Sequence, residues 1–597
     1  MYYGKIKKLI LSALVITLCL TTATTAMVSA ASTSPGIQPG KPPSGQVGTP
    51  PKGSAPGGGG ANTMTYDYTG TLSGALTANG TSVISDGKSY SATTADQNAA
   101  LVRKAGKLTI IKGNLTKSGN DTNGDNCNFY GINSILLAVN KGSAAYISGS
   151  SLNATSEGSN GIFSTDNGTV YANDNTIATT AGNSRGLDAT YGGTIVANKM
   201  TISTKGDHSA SIATDRGGGN ISVTNSTLST AGSGSPLLYS TGDIQVDNVK
   251  GTSTGSQIAG MEGLNTILIH NSSLTSSITK ATASDPMADG VIIYQSTSGD
   301  AESTTGKTAS FEASNSTLKS AITSGAMFYF TNTKANVVLS GTTLDFDTSK
   351  AKLMAIQGNN SNNWGTAGSN GASVTFTGLG ETLNGNIDVD TISSLNLYLL
   401  KSTTYTGAAS ISANSVNKNV SKAPITVNLD STSKWIVTGN STVTNLNAAG
   451  GASIVDQQGK TVSIVVNGKT VVSGNSSYAI TVKGSYSTTV TTSSSNTLST
   501  SYIDRTAFDK YYTVKTTFGA NSTSANSLSS AAAGAAEAVS SSSVGVSSET
   551  VPQNEEKSNH FWLYGSIILV VVLGSTGILV YKLKKFKQDQ HSGKSNK

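Results

Sequence analysis

The chain has 597 residues, of which 66 are glycine and only 12% are charged. The formal net charge of +7 comes from the ends, since residues 1–30 contribute three lysines and residues 582–597 contribute six lysines and one aspartate. Residues 31–581 are therefore close to neutral, which argues against nucleic-acid binding. Once a signal peptide is removed, Cys127 is the only cysteine, so neither an intramolecular disulfide nor a cysteine-based metal site is possible.

The N-terminus predicts a secretory signal peptide over residues 1–30. Three lysines within the first eight residues precede an apolar run that ends at Leu20, and Val-Ser-Ala at 28–30 forms a small-residue cleavage site. An N-terminal membrane anchor is the alternative, but the apolar run is short for a span.

Two segments separate this signal from the regular part of the chain. Residues 31–62 contain seven of the eleven prolines and then four consecutive glycines, which predicts an extended linker. Residues 63–145 have an irregular strand-like pattern and are predicted to form an N-terminal cap and the first coils of a solenoid. A cap is expected because an open coil end presents unpaired strand edges.

One short segment within this region offers oxygen ligands at alternate positions. Asp121, Asn123 and Asp125 resemble the start of an EF-hand calcium loop. However, Gly124 stands at position four, and Ile132 occupies position twelve, where a glutamate is required. An ordinary turn rich in Asn, Asp and Gly is the competing interpretation.

Apolar residues recur about every 25 residues from Gly161 to about Phe330. The first column of this repeat consists of Ile162, Leu187, Ile212, Leu237, Ile258, Val291 and Met327. The second column consists of Ile177, Ile202, Leu228, Val249, Leu274, Leu318 and Leu344. Because so short a repeat cannot bury its own apolar face, it must stack on its neighbours. The intervening Thr, Ser, Asn and Gly suit strands and turns, so we predict an all-β chain with a parallel β-helix over residues 146–450.

The C-terminal part of the chain predicts a cap, a stalk and a membrane anchor. Residues 451–520 contain β-branched runs and are predicted to form a small β cap. Residues 521–559 are rich in Ser and Ala and read as a flexible stalk. Residues 560–581 predict a transmembrane helix, because 561–581 lack charge and are flanked by aromatic residues.

The basic tail at 582–597 places the C-terminus inside the cell and the folded region outside. This predicts a single-pass protein of the cell membrane with an extracellular N-terminal part. The layout resembles the wall-sorting signals of Gram-positive surface proteins. Val-Pro-Gln-Asn-Glu at 551–555 stands where those signals have Leu-Pro-x-Thr-Gly, so we expect the helix to be retained without sortase linkage.

A stripe of charged and aromatic residues follows the first apolar column. The predicted ligand-binding residues are Asp188, Tyr191, Asp215, Arg216, Tyr239, Glu262, Tyr294, Gln295 and Asp300. Aromatic rings stack on sugar faces, and carboxylates and amides bind hydroxyl groups, so this stripe suggests a polysaccharide site. A solvated face without a ligand is the alternative. Asp188, Asp215 and Glu262 are also candidate catalytic carboxylates, because glycoside hydrolysis requires two of them.

Several blocks of the coils resemble bacterial adhesin-like surface proteins with a right-handed, pectin-lyase-like β-helix. The blocks are Arg-Gly-Leu-Asp-Ala-Thr-Tyr-Gly-Gly at 185–193, Ala-Thr-Asp-Arg-Gly-Gly at 213–218, Ser-Pro-Leu-Leu-Tyr-Ser-Thr-Gly at 235–242, Tyr-Gln-Ser at 294–296 with Ser-Gly-Asp-Ala at 298–301, and Trp-Gly at 364–365 with Gly-Ser-Asn-Gly at 368–371. The resemblance implies right-handedness and a surface location over about residues 63–450, but it supplies no reaction.

We therefore expect a membrane-anchored adhesin or carbohydrate-binding protein without a cofactor. Its expected partners are glycans or surface proteins of a host or of neighbouring cells, and the membrane itself through 561–581. A polysaccharide-degrading enzyme that uses Asp188, Asp215 and Glu262 is the first alternative, and a passive envelope spacer is the second.

Overall fold

The computed structural model describes residues 65–297, 301, 308–360, 364–419 and 423–519. The predicted signal peptide, linker, stalk, transmembrane helix and basic tail lie outside these residues, and so does Asp300. Among the described residues, no helix has the length and apolar character needed to cross a bilayer.

Two long parallel sheets dominate the described chain. Sheet A has thirteen strands, which pair in this order: Gly74–Asn79, Asn98–Arg103, Leu136–Val139, Ile162–Thr165, Leu187–Ala189, Ile212–Thr214, Leu238–Ser240, Ala259–Glu262, Asp289–Tyr294, Ala326–Thr331, Lys352–Ile356, Ile387–Asp390 and Ala409–Ser412. Each strand of sheet A pairs in parallel with the strand one coil further along the chain.

Sheet B consists of two parallel ladders joined at a turn. The first ladder contains Ser82–Asp86, Lys107–Ile111, Ala144–Ser148, Thr169–Asn173, Thr194–Asn198, Thr266–His270, Ala309–Ser314, Lys334–Ser340, Ser373–Leu379, Ser394–Leu400, Ile425–Leu429, Asn445–Ala448 and Tyr486–Ser487. The second contains Ser89–Ala92, Asn114–Lys117, Ser151–Ala154, Thr176–Thr179, Thr201–Thr204, Ser273–Ser276, Thr317–Ser320 and Thr343–Asp345. Two longer strands, Asn220–Thr230 and Asp243–Ser253, run through both ladders.

Two smaller sheets complete the strands near the C-terminal end. The first contains Thr382–Asn384, Thr404–Gly407, Lys434–Val437 and Ser453–Asp456. The second contains Ser441–Val443, Ala479–Val482, Ser463–Val466 and Lys469–Val472, and its last two strands form an antiparallel pair. Up to Asp345 each coil visits sheet A, then the first ladder and then the second ladder of sheet B; in the next three coils the first smaller sheet takes the place of the second ladder. This topology is consistent with a parallel β-helix, and it confirms the prediction that the chain is all-β.

The core is one continuous apolar cluster that runs inside the coils from Ala78 to Val482. The first predicted column is correct over Ile162, Leu187 and Ile212, which pair across neighbouring strands. Because the next coil is one residue longer, Ile212 pairs with Leu238 and not with Leu237.

The same column is also one residue out at two later positions. Leu238 pairs with Ala259 where Ile258 was predicted, and Val291 pairs with Phe328 where Met327 was predicted. All of these side chains are buried, and Leu237, Ile258 and Met327 belong to the same apolar core as the column. An apolar pattern therefore does not distinguish the column from its neighbour at these coils.

The second column is correct except at one coil. Leu228 pairs with Gly251, and Gly251 with Leu274, so Val249 lies outside the column. A Cβ on Gly251 would lie 2.6 Å from Leu237 Cδ1 and 2.9 Å from Leu274 Cδ2. Leu237 therefore fills the space that a side chain of the second column occupies in the other coils. This explains why Leu237 was wrongly assigned to the first column and Val249 to the second.

The polar runs before the second column form tight turns between the two ladders of sheet B. The left-handed residues at these turns include Asn225, Asn248, Asn271 and Asn315. Asparagine tolerates this conformation better than most residues. The residue that follows is often serine, and its hydroxyl oxygen accepts a hydrogen bond from the preceding coil, as when Met200 N donates to Ser226 Oγ at 2.9 Å.

Two α-helices and one short 3₁₀ helix, Ser494–Asn496, interrupt the strands of the described chain. Helix α1, Gly124–Tyr130, is inserted between two coils, and Asn123 Oδ1 caps it by accepting from Asp125 N at 3.0 Å. Helix α2, Thr506–Tyr512, lies near the end of the described chain. The segment proposed as a calcium loop is therefore the start of a helix.

The predicted β cap over 451–520 is only partly a β structure. Strands end at Ser487, and residues 488–519 form what we call the C-terminal strap, which runs back along the outer side of sheet B. From Asn496 to Tyr512, strap residues bond to ever earlier coils: Asn496 to Thr377, Ser499 to Glu312, Ile503 to Gln245, Arg505 to Ser222, and Tyr512 to Tyr171. After helix α2 the strap turns back, and Gly519 N donates to Asp247 Oδ2 at 2.6 Å. The Ser/Thr-rich strap does not build coils, because it lacks the spaced apolar residues that a coil needs.

Candidate functional site

A cavity of about 290 Å³ lies on the outer side of sheet A, and we call it the sheet A cavity. Its floor includes Asp215, Tyr239 and Tyr294, which belong to or directly follow strands of sheet A. The walls come from helix α1 and from the loop at 283–285, which rise beside the sheet. The flat face of the sheet therefore becomes concave at these coils.

Arg185 is the charged centre of the cavity. Its Nη2 lies 3.1 Å from Asp215 Oδ2, and its Nε lies 3.6 Å from Asp188 Oδ2. Arg185 Nη1 also donates to Asn128 Oδ1, on helix α1. All of the charged groups in this cluster are buried, so the pairing compensates part of the free energy lost when they leave water.

Asp188 lies beneath the cavity and not in its wall. Its side chain has no exposed surface. Burial raises the pKa of Asp188 well above its usual value, while Arg185 lowers this pKa and Asp215 raises it further. Asp188 pairs across the ladder with Ala213, so Asp215 lies in the adjacent coil but two positions further along. Asp188 therefore does not contact the cavity itself, but its ion pair with Arg185 holds the guanidinium that lines it.

Glu262 is also buried behind the cavity wall. Tyr239 donates its hydroxyl to Glu262 Oε2 at 2.8 Å, and Ser296 Oγ donates to Glu262 Oε1. Only Tyr239 of these three residues lines the cavity. Glu262 therefore fixes the tyrosine ring and its hydroxyl, and a ligand in the cavity would meet Tyr239 first.

An aromatic pair forms the opposite side of the cavity. The ring centroids of Tyr294 and Trp364 are 4.1 Å apart with an interplanar angle of 35°. Both residues line the cavity. Sequence analysis selected Tyr294 but not Trp364. The usable signal was the rarity of tryptophan, since the chain has only three.

Two further carboxyl groups lie at this site, and sequence analysis selected neither of them. Asp285 is half-buried in the cavity wall, and burial raises its pKa to about 7 while a hydrogen bond with Gln257 lowers it. Asp289 is buried, and neither of its oxygens has a hydrogen-bond partner. Burial raises the pKa of Asp289 well above its usual value, and the charge of Asp285 raises it further.

The remaining predicted residues lie beside the cavity. The Arg216 guanidinium sits 3.7 Å from the centroid of the Phe129 ring, which lines the wall. Tyr191 stacks on Tyr130 with ring centroids 5.7 Å apart. Gln295 is buried, and its Nε2 donates to the Ser296 carbonyl at 3.1 Å.

The candidate calcium ligands Asp121, Asn123 and Asp125 lie at the start of helix α1 and just before it. Asn123 is engaged as the cap of helix α1, between Asp121 and Asp125 in the chain. In the part of the chain that the structure describes, no three or more His, Cys, Asp or Glu side chains are grouped as metal ligands.

The sheet A cavity combines aromatic rings, carboxylates and the Gln257 amide around a concave space. Such convergence of polar groups with rings is typical of small-molecule sites. Comparisons of this chain with protein-family models, with curated proteins and with solved structures found no match. We therefore argue the function from the residues of the cavity itself.

Proposed function

We propose that the chain is a membrane-anchored cell-surface protein whose right-handed β-helix binds glycans, in the manner of an adhesin. The long parallel sheets support the β-helix, and the sequence at the two ends supports secretion and anchoring through 561–581. The resemblance of the coil blocks to adhesin-like proteins supports the surface location and the handedness.

The observation that carries this proposal is the pairing of the Tyr294 and Trp364 rings with a polar wall at Arg185 and Asp215. A sugar ring has apolar C–H faces and hydroxyl groups at its edge. It can stack on Tyr294, which is half-buried and packs against the buried Trp364, while its hydroxyl groups bond to Asp215, Gln257 and the Tyr239 hydroxyl.

The size of the cavity indicates how a polysaccharide would bind. A volume of about 290 Å³ is at the lower end of the range for small-molecule sites, so it accommodates a short segment of a glycan. The rest of the glycan would lie along the coils. Binding at one such site is expected to be weak, and many copies on a cell surface would increase it through avidity.

The test uses the full-length protein in detergent and a panel of plant, animal and bacterial polysaccharides. One assay records both the protein removed from solution by each polysaccharide and the oligosaccharides released. We expect removal without release, and at least tenfold weaker binding for Trp364→Ala. Tyr478→Ala changes an aromatic residue remote from the cavity and serves as the control. If no polysaccharide removes the protein, the proposal is wrong, and a spacer or a protein ligand takes its place.

A glycan-degrading enzyme is the second candidate, because two carboxyl groups with different environments line the same cavity. Asp285 has a pKa of about 7, so about half of it is protonated near neutral pH, while Asp215 is ion-paired with Arg185. Glycoside hydrolysis uses one protonated and one ionised carboxyl group. Release of soluble products that Asp285→Asn abolishes would establish this function in place of simple binding.

A further inference from the structure

The walls of the sheet A cavity carry more acidic than basic groups. Among the described residues that line it, Asp215 and Asp285 are acidic and only Arg185 is a permanent cation. His208 also lines the cavity, but burial lowers its pKa, as does the nearby Arg185, so its imidazole is neutral at neutral pH. No lysine belongs to this described lining.

The one cation in the wall is already engaged by the protein. Arg185 contacts Asp215 through Nη2, Asp188 through Nε and Asn128 through Nη1. A ligand carboxylate that approached Arg185 would therefore compete with a buried protein carboxylate. Such competition would leave Asp188 or Asp215 without its counter-ion inside the protein, which is strongly unfavourable.

A second arginine lies beside the cavity wall. Arg216 packs its guanidinium against the Phe129 ring at 3.7 Å. Phe129 lines the cavity, and Arg216 does not. Arg216 is therefore placed on the outer side of a cavity wall.

Further acidic groups stand directly behind the lining. Glu262 lies behind Tyr239, which donates to it at 2.8 Å. Asp289 interacts electrostatically with Asp285 and has no hydrogen-bond partner for either oxygen. Behind the described lining these groups therefore add acidic side chains and no cation, so nothing there compensates the charge of a ligand carboxylate.

We propose that the sheet A cavity selects uncharged glycan segments and excludes uronic acids, an inference that rests on the proposed glycan binding. Neutral sugars offer hydroxyl donors to the Asp215 and Asp285 carboxyl groups and keep Arg185 in its ion pairs. A uronate at the same position would bring a third carboxylate into a cavity with one engaged guanidinium. Like charges placed together at low dielectric repel strongly, so the uronate is rejected.

The experiment compares glycans that differ only in charge. Oligosaccharides of glucose, mannose and galactose are prepared in a neutral form and in a form oxidised at C6 to the uronate, at the same chain length. Their affinities for the full-length protein in detergent are measured by calorimetry at low and at high salt. We expect at least one neutral oligosaccharide to bind and its oxidised partner to bind at least 100-fold more weakly, and this difference should change little with salt because the charged groups are buried or half-buried.

Two outcomes overturn the inference in distinguishable ways. Equal or tighter binding of an oxidised oligosaccharide refutes the charge selection but leaves glycan binding in place. Absence of binding by every neutral and every oxidised form refutes the proposed function, and the selection with it.

Variants at Asp285 test whether the charge of the wall causes the selection. Asp285→Lys should raise the affinity for the oxidised form relative to the neutral form by at least tenfold. Asp285→Asn keeps the shape and a partner for Gln257, so it remains informative if the lysine variant does not fold, and it should reduce the discrimination. Asp345→Lys is the matched control, since Asp345 is half-exposed and pairs with Lys319 on sheet B. Unchanged discrimination in both Asp285 variants would contradict the inference.

Discussion

Arg505 in the C-terminal strap donates from Nη1 to Ser222 Oγ at 2.8 Å, although 283 residues separate them in the chain. The same guanidinium also donates to the main-chain carbonyl of Ala197 and to Thr224 Oγ1, each at 3.0 Å. Burial lowers the pKa of Arg505 to about 10, so it keeps its charge at neutral pH. One side chain thus fastens the strap to two neighbouring coils.

The first prediction concerns this fastening. Arg505→Ala should destabilise the closed strap by about 3 kcal/mol, because hydrogen bonds to a charged group contribute about 1.5–3 kcal/mol and buried acceptors would lose their donor. Hydrogen exchange should accelerate in residues 488–519 while the coils remain protected, since local opening does not require global unfolding. Lys510→Ala, which changes an exposed cation on α2, should leave this exchange unchanged. Equal protection in both variants would show that Arg505 does not hold the strap.

The second prediction is a loss of stability as the pH rises. Burial raises the pKa of Glu381 to about 7 and that of Asp243 to about 6, as it raises that of Asp285 to about 7. Between about pH 4 and pH 6 these groups bind more protons in the folded chain than in the unfolded chain, and for Glu381 and Asp285 the difference extends to about pH 7. The unfolded state therefore binds fewer protons, and the free energy of unfolding falls by up to about 1.4 kcal/mol per pH unit for each group.

Denaturant unfolding at pH 5 and pH 8 checks this sign. The midpoint should be lower at pH 8, and Glu381→Gln should reduce the difference because the amide does not ionise. The glutamine oxygen still accepts from Thr342 N, which donates to Glu381 Oε1 at 2.8 Å in the native chain. A midpoint that rises with pH over this interval would contradict the prediction.

The third prediction concerns Cys127 on helix α1. Its thiol is fully buried and donates to the Gly124 carbonyl at 3.1 Å. Burial raises the pKa of Cys127 far above its usual value, and the Asp121 charge adds to this, so little reactive thiolate forms at neutral pH. A disulfide reagent should react with the native protein at least 100-fold more slowly than with the denatured protein. Rapid native labelling that Cys127→Ala abolishes would mean that α1 opens readily.

The regular coils were predictable because each one repeats the same spacing of apolar residues and the same kind of turn. The 25-residue period and the turns at Asn225 and Asn271 depend on nearby residues only, so the sequence carries them. Asp285 was not predictable, since it lies in an insertion that lengthens one coil and so has no periodic position. The strap was not predictable either, because Arg505 and Ser222 meet through folding of the whole solenoid. A repeating sequence pattern reveals only features that recur in every coil. The insertion with Asp285 and the strap do not recur; the first forms part of the cavity wall and the second covers part of sheet B.

The last prediction tests whether the Leu237 side chain fills the space over Gly251, where the other coils have a side chain of the second column. Gly251 has an ordinary backbone conformation, so the obstacles to a side chain are two neighbouring side chains: an added Cβ would lie 2.6 Å from Leu237 Cδ1 and 2.9 Å from Leu274 Cδ2. Gly251→Ala should destabilise the protein by about 1–3 kcal/mol through overpacking. Leu237→Ala should destabilise it by about 2–5 kcal/mol, because it leaves a cavity in the core.

The two changes should not add. In the Leu237→Ala background the nearer methyl group is gone and only Leu274 Cδ2 remains close, so Gly251→Ala should destabilise less than it does in the native chain. A double-mutant cycle from denaturant midpoints should show coupling of about 1–3 kcal/mol. Leu152→Ala combined with Gly251→Ala is the control, since Leu152 lies several coils away and its effect should add. Additive effects of Leu237→Ala and Gly251→Ala would mean that Leu237 does not occupy the space over Gly251, and the register explained by that contact would need another cause.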